Sequence, residues 1–191
     1  MRGRELIAIV GNTRAIIAAI VLIVLGIRIT ANQSPVDWIM YAATWVTILH
    51  LCMGAFLFVR LGAKSTIHQS LECVGLLCTV IMVWCFTKPM WWCVALAVLM
   101  AVAIARYALI YLDDKRPAVL SYALEKLWSE TPAIPVMVIL AIYFYRISGG
   151  GHSVLYLGII VLASTTLFAF WMVIVRRIYG RLLISGEVIE Q

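Results

Sequence analysis

Four residues near the middle of the chain, His68, Glu72, Gly75 and Thr79, are spaced i, i+4, i+7, i+11. On a helix they fall on one stripe. They lie in residues 67–86, IHQSLECVGLLCTVIMVWCF, which is otherwise apolar enough to cross a bilayer. A carboxylate in such a place can hold a proton or a cation, and ionisable groups inside membrane segments often mark transport sites. Arg106 is its expected partner. Glu72 lies roughly 7.5 Å past the start of its segment, and Arg106 roughly 9 Å before the end of the next, at 1.5 Å rise per residue. The short turn Thr87-Lys88-Pro89 makes those segments antiparallel neighbours, so the two charges come to similar depth. The expectation is a Glu72–Arg106 ion pair with His68 one turn away. It serves as a proton or cation site, or as a structural pair that lowers the cost of two buried charges.

His50 is the second candidate. Ala43, Thr47, His50 and Gly54 share a helical face, which suits a seam between helices or a proton relay. Haem is set aside: a two-histidine haem needs both ligands at one depth, and His50, His68 and His152 are expected at three. Glu130 stands just before Pro132 and Pro135, whose missing N–H groups free backbone carbonyls. Its simplest reading is a solvated carboxylate at a helix start. The five cysteines make no CxxC pair and read as small buried hydrophobes, with Cys85 and Cys93 worth a test because they flank one loop. No cofactor or metal is expected.

The elements that must position these residues are helices. The chain is 64% hydrophobic and only 13% charged, with mean hydropathy +1.04. A soluble domain carries about 25% charged residues. The reading is an all-α, polytopic membrane bundle, one domain over 1–191. Six spans are expected, near 13–29, 37–60, 67–86, 90–112, 131–147 and 153–178. The first reads as a span and not as a cleaved leader, since more spans follow. Residues 117–130 form a separate amphipathic helix: Val119, Leu120, Ala123, Leu124, Leu127 and Trp128 on one face, Ser121, Glu125, Lys126 and Ser129 opposite. That helix is expected to lie in the cytoplasmic interface. Ala97, Ala101 and Ala105 make a small-residue ridge that lets another helix approach closely.

Charge gives the orientation. The net charge is +6, and its carriers flank the apolar segments. With six spans, Arg2, Arg4, Arg14, Arg60, Lys64, Arg106, Lys115, Arg116, Lys126, Arg176, Arg177 and Arg181 share one side. Arg28, Lys88 and Arg146 take the other, so twelve plus three makes the fifteen Lys and Arg. Positive residues favour the cytoplasmic side, so both termini are expected there, in an inner membrane. Anionic lipids are the expected partners of the basic face, together with a protein partner or a second copy; nucleic acid is not.

Enzyme templates fail. There is no HExxH and no aspartate-rich metal motif. The stretch Ser148-Gly149-Gly150-Gly151-His152 lacks the later histidine that a lipid phosphatase needs. Three functions remain. First comes a subunit of a larger membrane assembly. Next is a small solute or ion transporter using the Glu72 region. Last is an enzyme acting on lipid or quinone.

Overall fold

A computed structural model describes residues 20, 23, 34–60, 66–147 and 152–172, with side chains at 52–60, 66, 68, 69, 72 and 152 outside the description. The described residues are helical apart from short turns, with no strand among them. The helices are α1 Pro35–Arg60, α2 Thr66–Trp84, α3 Pro89–Asp113, α4 Pro117–Glu130, α5 Ala133–Arg146 and α6 His152–Phe170. The expected first span, 13–29, lies outside the described residues but for two positions.

Local chemistry sets the ends. Pro35 starts α1 where a missing N–H costs nothing, and Ser34 and Asp37 cap it reciprocally. The Ser34 N–H donates to Asp37 Oδ2 at 3.0 Å, and the Asp37 N–H reaches Ser34 Oγ at 3.4 Å. The turn after α2 closes with Lys88 N–H donating to the Cys85 carbonyl at 2.8 Å, and Pro89 opens α3. Asp114 ends α3, and Pro117 opens α4 after a loop of three residues.

Packing pairs α3 most extensively with α5 and α2, and α1 with α6. Two apolar clusters result. The larger draws on α1, α2, α3, α5 and α6, around Met40, Met82, Trp92, Leu96, Met137 and Val161. The smaller joins the end of α3 to α4, through Tyr107, Ile110, Val119, Tyr122 and Ala123, with Met172 closing it. Gly158 of α6 packs against α1, where a Cβ would make ordinary contact with Ile39 at 3.5 Å.

The sequence pattern sets 117–130 apart at an interface. The fold places it differently. α4 lies along the C-terminal part of α3 and continues into α5, so 117–146 form one apolar helical stretch antiparallel to α3. Its inward residues are Val119, Tyr122, Ala123, Lys126 and Glu130, while Leu124 and Trp128 face out. The face is rotated because Tyr122 meets Tyr107 edge to face at 5.8 Å, and because Lys126 carries its own counter-charge. Six spans are expected; three described stretches are long and apolar enough to cross a membrane: Pro89–Asp113, Pro117–Arg146 and Ser153–Phe170. The apolar part of α2, Cys73–Trp84, is shorter.

Candidate functional site

The polar residues of α1 enter the interior by a rule their type dictates. A threonine in a helix can give its one hydroxyl hydrogen to the carbonyl four residues back. Thr44 donates to the Met40 carbonyl at 2.7 Å, and Thr47 to the Ala43 carbonyl at 2.8 Å. Both are buried, as is His50 one turn further on. Thr44 also accepts the indole N–H of Trp92 at 2.8 Å, which ties α1 to α3. Trp92 and Thr44 are both fully buried, so this joint is closed on every side.

One turn above, the packing opens. A cavity of about 340 Å³ lies where α1, α3, α5 and α6 converge, with the end of α4 at its rim. Its polar wall is Thr47 and His50 from α1, Ser164 and Thr165 from α6, and Ser129 from α4. Its apolar wall includes Leu96 and Met100 of α3, Met137 of α5 and Phe168 of α6. It sits at the boundary of the two apolar clusters, with Leu96 and Met100 in one and Phe168 packed on the other. Phe168 meets the His50 ring edge to face at 5.4 Å.

The cavity borders the joint between α4 and α5. Pro132 and Pro135 have no N–H to offer the Trp128 and Thr131 carbonyls, the partners a continuous helix would give them. Instead the Ile134 N–H reaches the Thr131 carbonyl at 3.3 Å, three residues back, and the Thr131 hydroxyl donates to the Leu127 carbonyl at 2.6 Å. Pro132 and Ala133 of this break line the cavity. On α4, beside Ser129, Lys126 Nζ bonds Glu130 Oε1 at 2.7 Å. The two side chains are 1% and 5% exposed, so each charge depends on the other to offset its lost hydration. Lys126 Nζ also stands 5.8 Å from the centre of the Tyr107 ring and lies within electrostatic reach of His50.

The residues singled out by sequence divide between this place and α2. Gly75 and Thr79 are buried on the face of α2 turned to the interior, and the Thr79 hydroxyl donates to the Gly75 carbonyl at 2.8 Å. Arg106 is buried on α3. The side chains of His68 and Glu72 lie outside the described residues, and with them the expected ion pair. His50 and Thr47 come to the cavity together, and no described residue of the α2 stripe lines it. Lys126 and Glu130 are the corrections: sequence turns both to solvent, and the fold buries them. The readable signal was their i, i+4 spacing, which lets one helix neutralise itself. Thr165 and Ser164 were not anticipated; hydroxyls in an apolar run were the available sign. Cys85 and Cys93 stand as free thiols. Ala97 of the alanine ridge is buried, whereas Ala101 and Ala105 face out. Among the described residues no group of three or more His, Cys, Asp or Glu is placed to hold a metal ion.

At the far end of α3, Asp114 accepts from the Arg116 backbone N–H at 2.9 Å and from Arg116 Nη2 at 2.6 Å. The hydrogen bonds from the Arg116 side chain hold the Asp114 carboxyl below its ordinary value. This pair pins the loop that turns α3 back into α4. No protein-family model, no curated protein and no solved structure matches this chain.

Proposed function

We propose that the chain is a small multi-span membrane protein that binds a small molecule in the cavity beside His50 and carries it across the bilayer. The observation that carries this reading is the cavity itself, whose largely apolar wall carries four hydroxyls and an imidazole. Three apolar stretches of spanning length support the membrane setting, as does the mean hydropathy of +1.04. In that setting α1 is about 39 Å long and His50 lies about 22 Å from its start, near mid-depth. Membrane carriers place their sites at such depth, beside interrupted helices. The break at Thr131–Pro132 is such an interruption, and movement of α5 about it would open one wall. Lys126 and Glu130 supply the buried charges that a coupling step uses.

The basic residues keep the orientation argument. With Arg106 and Lys126 drawn into the bundle, the expected cytoplasmic side keeps ten (twelve less two) against three. Both termini are then cytoplasmic, and anionic head groups face Lys115 and Arg116.

The test is native mass spectrometry of the protein drawn from its own membranes into nanodiscs. A small molecule should accompany the wild type and be missing from Ala133→Trp, which fills the cavity. The same companions in both proteins, or none in either, would remove the reading.

A second reading is a subunit of a larger assembly. It is favoured by Ala101 and Ala105, which face outward on α3 beside exposed Val98 and offer a second helix close approach. A particle mass well above 21.3 kDa in solution supports it, and a monomer removes it.

A further inference from the structure

Of the four hydroxyls that line the cavity, those of Thr47, Ser129 and Thr165 have already given their hydrogens. Thr47 donates to the Ala43 carbonyl at 2.8 Å. Thr165 donates to the Val161 and Leu162 carbonyls at 2.9 and 3.0 Å. Ser129 donates to the Lys126 carbonyl at 3.2 Å. A hydroxyl has one hydrogen and two lone pairs, so what these three side chains keep for an occupant is the capacity to accept. No Asp, Glu, Lys or Arg is among the described residues that line the cavity, and the nearby Lys126 and Glu130 neutralise each other. A charged occupant would lose its hydration there with no counter-charge to meet it.

The protein also shows how such an acceptor is satisfied. One turn away, Thr44 has the same back-bond, and its lone pair takes the indole N–H of Trp92 at 2.8 Å. A ring that carries a donor fills that level of the bundle. Among the described residues no tryptophan lines the level of Thr47, where the cavity lies. Its size fits the comparison: a cavity of ~150 Å³ holds benzene, and this one is about 340 Å³. Met100, Met137 and Phe168 offer the polarisable contacts that a flat ring favours.

We propose that the cavity between Thr47, Ser129 and Thr165 takes an uncharged, ring-sized apolar molecule that carries an N–H or O–H donor. This rests on the cavity being the working site, as argued above, and names the class of molecule it accepts.

Equilibrium dialysis of the protein in nanodiscs tests it with two probes. Indole has the donor; indene has nearly the same frame without it. Ala133→Trp provides the blank for partition into lipid, and Ser164→Phe replaces it if that variant does not fold. Indole should bind the wild type above the blank, roughly tenfold tighter than indene, since a buried acceptor left unpaired costs about that factor. Thr47→Val and Thr165→Val should each weaken indole and leave indene unchanged. Equal binding of both probes, above the blank, overturns the donor rule while leaving the cavity as a binding site. Binding of neither above the blank overturns both.

Discussion

Thr44 and Thr47 lie one turn apart on the same helix. Both give their hydroxyl hydrogen to the carbonyl four residues back, at 2.7 and 2.8 Å. Around Thr44 the bundle is closed: Met40, Ala43 and Trp92 are fully buried, and the indole N–H fills the remaining lone pair. Around Thr47 the same kind of side chain faces an opening shared with His50, Thr165 and Ser164. The difference lies in the partner. α3 presents a tryptophan at one level and Leu96 and Met100 at the next, where Pro132 and Ala133 of the α4–α5 break also line the opening. A polar group in a bundle is therefore structural or available according to what the neighbouring helix brings to it.

The comparison can be broken most severely at the closed level. Trp92→Ala should cost about 3–5 kcal/mol of stability, the range for truncating a large buried aromatic. A denaturant titration in detergent that finds Trp92→Ala no worse than Ala133→Gly would refute the account of a closed joint. Nearly as large is the loss expected at the buried ion pair of α4. Lys126→Met alone strands a buried carboxylate and should cost about 3–5 kcal/mol, whereas Lys126→Met with Glu130→Leu should recover most of it. The same titration run as a double-mutant cycle reads this directly, and additive losses would show that the pair is not coupled.

The two threonines themselves give a finer contrast. Thr44→Val leaves the buried Trp92 N–H without its acceptor, for about 1–3 kcal/mol. Thr47→Val removes only a back-bond whose carbonyl keeps its helical partner, and should stay within about 0.5 kcal/mol in the absence of an occupant. Equal losses at both positions would erase the distinction.

How much of this was legible in the sequence depends on the element. The ends of α1, α2 and α3 follow from residues whose backbone needs are fixed: Pro35 and Asp37, the Thr87–Pro89 turn, and Asp113 and Pro117. The face of α1 with Ala43, Thr47 and His50 follows from spacing. The 117–130 segment misled because its wheel was read by hydropathy alone. Leu124, Leu127 and Trp128 make a continuous apolar face, yet Leu124 and Trp128 face out, and the interior takes Tyr122, Lys126 and Glu130. Hydropathy cannot separate a lysine that meets water from one that meets its own glutamate one turn on. The cavity was unreadable for a different reason. It is made by what α3 and α5 fail to fill, a property of four helices together.

The smallest effect is expected far from both levels, at the turn between α3 and α4. Asp114 is held below its ordinary value by Arg116, so its contribution to stability is present above the unfolded carboxylate range and is lost as pH falls through the depressed folded value. The pair is partly exposed, and its worth is at most about 1 kcal/mol. Thermal unfolding followed from neutral pH into the acid range should show this component, and Asp114→Asn should flatten it. An unchanged profile in that variant would mean the loop is held by its backbone alone.

The indole at the closed joint has an optical consequence. Of the seven tryptophans, Trp38, Trp84, Trp91, Trp128 and Trp171 are exposed on the bundle and Trp45 is half-buried, while Trp92 is sealed. In brominated lipid the outer five would be darkened by the acyl chains or their borders, and the light that survives would come from Trp92 and the half-buried Trp45. Trp92 reports from the level of Thr44, one turn from Thr47. The protein thus carries its own lamp beside the cavity, and a shift in the unquenched emission would record an occupant arriving without any label being added.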